Sequence, residues 1–205
     1  MSTDFRTPYP DYNVLDKWDS PSWNEQTREV VGRRLRDVPE RRFFQPDEWA
    51  TLEAVCSRII PQPDRPGDPV PIVPFIDQKL QENRGDGYRY ENMPPMREAW
   101  RLGIAGIEEE SHKRFHARFT ELSSTHQDEI LRRVQEGEVE GDVWKELPPK
   151  RFFTSQLLNT VVGIYYLHPA AWSEIGYGGP ASPRGYVRLG FDQRDAWEAE
   201  EKKDV

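Results

Sequence analysis

The sequence predicts an all-α protein, with one compact domain of about five or six helices, an extended N-terminal arm and a Gly/Pro-rich C-terminal loop. Three observations support this class. Apolar residues recur three, four and seven positions apart in several segments, which is the spacing of one buried helix face. Segments rich in proline or glycine separate these stretches. No segment alternates apolar and polar residues long enough to predict a strand, and no internal repeat is visible.

The first 44 residues are predicted to form the arm. Its aromatic residues are irregularly spaced: Tyr9, Tyr12, Trp18 and Trp23. Three prolines among them interrupt any regular element, and a short helix is predicted only from residue 24 to 35. Such an arm can pack on its own domain or wrap the surface of a partner.

Two helices are predicted after the arm. The first begins near Pro46, where Asp47 and Glu48 place negative charge in the first turn, and it ends at Pro61. Its buried face is predicted to be Trp49, Leu52, Val55, Cys56, Ile59 and Ile60. A proline-rich loop follows, and the second helix covers residues 72 to 81.

A long helix is predicted from Pro94 to about Phe119. Its apolar stripe consists of Met96, Trp100, Ile104, Ile107, Phe115 and Phe119. The three consecutive glutamates Glu108, Glu109 and Glu110 are assigned to the solvated face of the same helix. The next helix is predicted to start near Ser124, which precedes Gln127 at the spacing of a capping box, and to end at Gly137.

The most apolar segment is the last predicted helix, which Pro148 and Pro149 open. From Phe152 to Tyr166 its apolar residues leave little of the helix surface polar, so it is predicted to be buried among other helices. Pro169 is expected to stop it, with His168 capping or packing at its end. A stiff loop with several glycines and prolines is predicted to follow, carrying Trp172, Tyr177 and Tyr186.

Length and composition restrict the class of protein. A chain of 205 residues forms one domain or at most two small ones. Aromatic residues make up 12%, which indicates a folded chain. The net charge of -8, with acids and bases mixed, argues against a nucleic-acid binder. Since Cys56 is the only cysteine, no intrachain disulfide can form.

The location predicted from the sequence is cytoplasmic and soluble. The first residues show no secretory signal, and the apolar run from 157 to 167 is shorter than the ~20 residues of a membrane helix. A partner could still bring the protein to the periplasm or to a membrane.

Two motifs could carry chemistry, and both receive a structural interpretation. The segment GYGGPA, residues 176 to 181, matches a dinucleotide-binding pattern, but that motif must join a strand to a helix. It is therefore predicted to be a glycine turn.

The second motif is a possible metal-binding pair. His112 and His116 lie four residues apart on the predicted helix, and Glu109 precedes His112 by three residues. A di-iron bundle needs a second Glu-x-x-His pair, which the sequence lacks. No catalytic, cofactor-binding or metal-binding residue is predicted.

Two separated segments resemble one known family. FFQPDEWATLEAVCSRIIPQ, which starts at Phe43, looks like the family's opening helix. The more specific part is G-x-Y-Y from Gly163, followed by G-Y-x-G-P from Gly176 to Pro180. The resemblance covers about 43 to 186 and is to the gluconate 2-dehydrogenase subunit 3 family. Its members are small subunits of FAD-dependent dehydrogenases whose catalytic subunit is of the glucose-methanol-choline oxidoreductase family.

The resemblance implies a non-catalytic, chaperone-like accessory subunit. It would bind and stabilise an FAD-dependent sugar or alcohol dehydrogenase, and FAD is expected in that partner and not in this chain. In exported members a twin-arginine signal lies on the small subunit, whereas here the N-terminal arm takes its place. The predicted domains are the arm at 1–44, a helical domain of this family at 45–190 and a polar tail at 191–205.

The residues predicted to contact the partner lie in stiff, aromatic segments. Trp and Tyr often anchor interfaces, and stiff segments lose little freedom on binding. The predicted set is Trp172, Tyr177, Gly179, Pro180, Tyr186, Trp18 and Trp23. The alternative is that these rings fill the protein's own core, which for Trp172 is nearly as well supported.

Two other functions stay open from the sequence. One is a free-standing metal-dependent helical enzyme that uses the face carrying His112 and His116. The other is a helical scaffold for an unrelated partner.

Overall fold

The computed structural model describes residues 7–65, 67–85, 87, 90–180, 195 and 197–202. Within these residues the regular elements are helices and no strand is formed, so the predicted all-α class is confirmed. The helices are α1 (Glu25–Arg36), α2 (Pro46–Ile59), α3 (Ile72–Gln81), α4 (Met96–Phe115), α5 (Ser124–Glu136), α6 (consecutive segments Pro149–Arg151, Phe152–Leu158 and Asn159–Tyr166) and α7 (Pro169–Glu174). Short 3-10 turns cover Val14–Lys17, Phe119–Glu121 and Asp142–Lys145.

The chain packs as two compact units. We call Pro39–Ile164 the helical unit, and Met1–Val38 with Tyr165–Val205 the arm unit. The boundaries predicted from the sequence, at 44/45 between arm and helical domain and at 190/191 between helical domain and polar tail, stay a prediction. None of the described helices has both the length and the apolarity needed to cross a lipid bilayer.

The first helices begin where their capping residues predict. In α1 the Asn24 side chain accepts a hydrogen bond from the Thr27 N–H at 2.8 Å, which satisfies one of the free amides of a first turn. In α2 Pro46 is the first helical residue, and Gln45 and Glu48 form a capping box. The bounds of α3 are those predicted.

α4 ends earlier than predicted. Its last residue is Phe115, because His116 adopts a left-handed conformation with φ 55°. The fully buried Phe119 belongs to a separate 3-10 turn. The apolar stripe predicted on one helix is therefore shared between two elements.

α5 corrects the predicted capping box. Ser123 is the N-cap, and its side chain accepts a backbone N–H of the first turn. Ser124 is already helical, so its predicted pairing with Gln127 is wrong; the Gln127 amide donates to the Phe119 carbonyl at 2.9 Å instead. Gly137 ends the helix at φ 72°, as predicted.

The core of the helical unit contains a group of contacting aromatic rings with glycines against them. Trp100 and Phe152 meet edge to face with centroids 6.0 Å apart, and Trp144 lies 6.3 Å from Phe152. A methyl group at Gly103 would overlap the Phe152 ring, and one at Gly106 would lie 2.5 Å from Trp144. These two glycines let α4 approach the rings closely.

α6 is less buried than its composition predicts. Its middle segment is a π-helix, and its buried residues are Phe152, Phe153, Leu157, Thr160, Val161 and Tyr165. Gly163 and Tyr166 are exposed, as is Leu167 directly after the helix. The prediction of burial on nearly every side is therefore wrong, since only one face of α6 is covered.

α7 corrects the predicted loop after Pro169. Pro169 does not only end one helix but begins the next, because the first helical position needs no N–H. His168 caps this helix, and its Nδ1 accepts a hydrogen bond from the Ala170 N–H at 3.3 Å. The capping role expected of His168 is confirmed.

Candidate functional site

The arm unit is built around a buried aromatic cluster, which we call the tryptophan cluster. Its buried members are Val14, Trp23, Val31 and Trp172, with Tyr12, Leu15, Trp18 and Leu35 packed against them. Trp18 and Trp23 meet edge to face with centroids 5.5 Å apart. Side chains from the first 38 residues and from α7 thus share one core.

Trp172 is held by contacts on several sides. Its indole Nε1 donates to the Tyr166 carbonyl at 2.7 Å. The Tyr177 ring stands perpendicular to the indole at a centroid distance of 5.8 Å. The Arg34 guanidinium lies over the indole face, 5.9 Å from the ring centroid. A buried, hydrogen-bonded ring with this many neighbours is a rigid support for the segment around it.

Residues 176–180, the described part of the GYGGPA segment, pack against the rest of the arm unit through their glycines. Gly176 and Gly179 have φ of 66° and 67°, a conformation that glycine adopts without strain. A methyl group at Gly179 would lie 3.0 Å from the Trp172 ring and 3.3 Å from Trp23. The segment follows α7 and not a strand, so its predicted role as a glycine turn is confirmed.

The residues predicted to contact a partner differ in exposure. Trp23, Trp172 and Gly179 are buried, Trp18 and Pro180 are half-buried, and Tyr177 is exposed. Tyr186 lies outside the described residues. Since only 2% of Trp23 and 3% of Trp172 is exposed, these two rings fill the core of the arm unit. Partner contact by any of the seven stays a prediction.

Three exposed residues near Trp172 were not singled out from the sequence. Tyr166, Leu167 and Ile175 are 44%, 52% and 46% exposed. One feature of the sequence could have indicated exposed apolar residues here. The number of apolar residues in α6 exceeds what one buried helix face requires.

Lys17 is a buried cation of the arm unit. Its ammonium donates to the Ser22 hydroxyl at 3.3 Å; burial lowers the pKa of Lys17, while the charges of Asp195 and Glu198 oppose this. Tyr12 is half-buried, and burial raises its pKa to about 12.

In the helical unit, two fully buried carboxylates bind backbone amides. Asp77 accepts hydrogen bonds from the N–H groups of Arg42, Phe43 and Phe44 at 2.7 to 3.1 Å. Glu110 accepts from two consecutive N–H groups, those of Glu140 and Gly141, at 2.7 and 2.6 Å. Both carboxylates thereby anchor connecting segments to helices.

Glu110 corrects the prediction that the three glutamates of α4 form a solvated face, because it is 0% exposed. Glu109 is half-buried and accepts from the N–H groups of Asp142 and Val143 at 3.0 and 3.2 Å. These backbone hydrogen bonds, first that of Asp142, lower the pKa of Glu109, and Lys113 contributes. Spacing alone places these side chains on α4, but it does not show which loop returns to them.

The histidine pair does not keep its helical geometry. His116 is the left-handed cap of α4, so it does not continue the helix face that carries His112. In the parts of the chain that the structure describes, no three His, Cys, Asp or Glu side chains are grouped so as to hold a metal ion.

Cys56 and a surface groove complete the candidate positions of the helical unit. Cys56 is buried on α2, and burial raises the pKa of its thiol, which disfavours the reactive thiolate.

The helical unit also has an open surface groove of about 580 Å³. It is lined by Asn92, Gly137, Pro148, Pro149, Lys150, Arg151 and Ser155. Lys150 is exposed, whereas Arg151 is half-buried and its guanidinium lies 3.9 Å from the centroid of the Tyr90 ring.

A comparison of the sequence with models of known protein families identifies the family of this chain. The model described as Gluconate 2-dehydrogenase subunit 3 matches residues 46–179. The chain belongs to the gluconate 2-dehydrogenase subunit 3 family. The family match begins at the first residue of α2 and ends at Gly179, the turn glycine that lies against Trp172. Neither the curated proteins nor the solved structures compared with the chain gave a match.

Proposed function

We propose that this chain is the accessory small subunit of an FAD-dependent dehydrogenase of the glucose-methanol-choline type. It binds the large catalytic subunit and stabilises it, and the large subunit holds the FAD and oxidises a CH–OH group of a sugar or alcohol. The observation that carries the proposal is the family match over residues 46–179. A protein from a family that is described as a subunit is expected to act together with another polypeptide.

The chemistry of the described residues supports an accessory role. The carboxylates of Asp77 and Glu110, which are the acids most removed from water, are engaged with backbone N–H groups. The thiol of Cys56 is buried and its pKa is raised. These groups are used to hold the fold together, whereas a general base or nucleophile must be free to reach a substrate.

The surface of the arm unit supports partner binding. Exposed apolar side chains surround a rigidly packed tryptophan in the segment from 166 to 177. Aromatic and aliphatic side chains on a rigid support bind another protein at a low cost in conformational entropy.

Co-expression tests the proposal. An FAD-dependent oxidoreductase of the glucose-methanol-choline type from the same genome is produced with and without this chain, and the yield of soluble large subunit and its flavin absorbance are measured. We expect soluble, flavin-loaded enzyme to depend on this chain and the two polypeptides to co-purify.

The matched control is co-expression with an unrelated helical protein of similar size, which separates a specific effect from a general one on expression. Equal yields of flavin-loaded large subunit in all cases, without co-purification, would contradict the proposal.

A further inference from the structure

We infer that five residues of the arm unit form the docking face for the catalytic subunit, and that the catalytic subunit meets them with an apolar segment carrying a carboxylate. The docking face consists of Tyr166, Leu167, Ile175, Tyr177 and Arg34. The inference rests on the proposed function, since it names the surface through which that function is exercised.

The exposed apolar side chains of the described residues are concentrated in one segment. Six large hydrophobic side chains are exposed in that part of the chain, and four of them lie between residues 166 and 177. Scattered apolar residues are normal on a protein surface, whereas a local concentration marks an interaction site. The remaining two, Val38 and Tyr90, lie elsewhere in the sequence.

Contacts to Trp172 and a backbone hydrogen bond of α7 hold three residues of the docking face in place. The Tyr166 carbonyl accepts from the Trp172 indole at 2.7 Å, and the Tyr177 N–H donates to the Trp172 carbonyl at 2.8 Å. Ile175 is the C-cap of α7, and its N–H donates to the Ala171 carbonyl at 3.3 Å. Because the backbone beneath these side chains is fixed, little conformational freedom is lost on binding.

Arg34 supplies the charge that specifies the partner. Its guanidinium donates to the Leu167 carbonyl at 3.2 Å and covers one face of Trp172. No described carboxylate lies within 4.0 Å of Arg34, although the chain carries a net charge of -8. Arg33, in the same last turn of α1, is instead paired with Glu29 at 3.9 Å. A guanidinium without such a pair beside an apolar surface is complementary to an apolar segment with an acidic side chain.

The docking face is the centre of an interface and not its whole extent. A stable complex buries about 800 Å² on each partner, which is more than five side chains supply. A small central group nevertheless contributes most of the binding free energy, while its surroundings exclude water. Truncation of these few residues should therefore weaken the complex strongly.

Binding measurements test the docking face. The complex is obtained by co-expression of the catalytic subunit with wild-type chain that carries a fluorescent label, and displacement of the labelled chain by unlabelled wild type or by the unlabelled double variant Leu167→Ala/Tyr177→Ala gives their relative dissociation constants. We expect about thirtyfold weaker binding or more. The matched control Val38→Ala/Tyr90→Ala removes side chains of similar exposure outside the docking face, and we expect a change below about twofold.

Arg34 is tested separately. Arg34→Met retains much of the apolar stem and removes the charge, so we expect about tenfold weaker binding with a smaller dependence on salt. Arg34→Lys keeps the charge, so we expect it to restore the salt dependence. Circular dichroism checks that each variant is folded; if the double variant unfolds, the Arg34 pair and the single variant Leu167→Ala decide the question.

The possible results distinguish a wrong docking face from a wrong proposed function. If wild type, double variant and control bind the catalytic subunit equally well, the docking face is wrong and the proposed function stands. If the wild type does not bind that subunit, the proposed function fails first. If light scattering shows a dimer of this chain that the double variant converts to a monomer, a second copy occupies the face and the inference is overturned.

Discussion

The two aromatic clusters of this protein use the same residue types for different ends. In the helical unit Trp100, Trp144 and Phe152 are at most 7% exposed, and Gly103 and Gly106 allow the helix backbone to cover them. In the arm unit Trp23 and Trp172 are buried as well, but the Trp172 ring contacts the exposed Tyr177 ring.

Aromatic content therefore does not distinguish a closed core from a region with exposed apolar surface. What separates the two is the residues around the rings. Glycines on a neighbouring helix close the first cluster, whereas in the second a turn glycine covers one side of Trp172 and the exposed Tyr177 ring lies beside it. Composition shows how many aromatic rings the chain has, but only the residues packed around them show whether apolar surface stays exposed to solvent.

The largest expected effect breaks the first cluster. Phe152→Ala removes a fully buried ring that contacts both Trp100 and Trp144, so we expect the free energy of unfolding of the isolated chain to fall by about 3–5 kcal/mol. Chemical denaturation followed by tryptophan fluorescence measures it.

Tyr177→Ala provides the contrast for this measurement. Its side chain is 42% exposed, so we expect the isolated chain to lose less than about 1 kcal/mol. Equal losses for the two variants would show that the arm unit depends on its exposed rings as much as the helical unit depends on its buried ones.

A smaller effect tests the closure of the first cluster by glycine. Gly103→Ala places a methyl group into the Phe152 ring, and we expect a loss of about 2 kcal/mol in the free energy of unfolding through overpacking. The melting temperature, followed by circular dichroism, measures the loss.

Gly163→Ala is the matched control, because it lies on an exposed part of α6 with nothing within 4 Å of the added methyl group. There we expect a gain of up to about 1 kcal/mol from the higher helix propensity of alanine. A loss at Gly163 similar to that at Gly103 would indicate that backbone effects, and not ring contact, limit both positions.

The smallest expected effect concerns pH and the segment that carries Trp144. Glu109 holds the N–H groups of Asp142 and Val143, and its pKa is lowered from the ordinary 4.5. A carboxyl whose pKa is lower in the folded state stabilises the fold above its unfolded pKa, and this contribution disappears as the pH falls through the folded value. We therefore expect the urea midpoint to decrease below about pH 4.5.

Glu109→Gln should make this acid-dependent decrease shallower and lower the midpoint slightly at neutral pH. Comparison of the urea midpoints of the two proteins between neutral pH and pH 4 measures both effects. Identical pH profiles would mean that the carboxylate of Glu109 does not stabilise the segment through its charge.

Several features were predictable from the sequence because their causes are local. Asn24 caps α1 through its own side chain, Pro46 opens α2, and Gly137 ends α5 with a positive φ. A cap or a turn depends on residues within one helical turn, so sequence spacing is sufficient to find it.

The burial of Glu110 was predicted wrongly because it depends on distant residues. Its carboxylate accepts from the N–H groups of Glu140 and Gly141, about thirty positions later, and local spacing does not encode the return of that loop. The start of α7 at Pro169 was missed although its signal, a proline at the first helical position after a capping residue, is local.

By itself, the sequence determined the all-α class, most of the helix bounds and the family resemblance, because helical periodicity, capping chemistry and motif order are properties of neighbouring residues. The tertiary structure was needed to show which aromatic rings are buried, which glutamates bind backbone N–H groups and where apolar surface is exposed near Trp172. The physical reason is that burial is a property of packing between segments far apart in the chain, and identical side chains become core or surface according to what is packed against them.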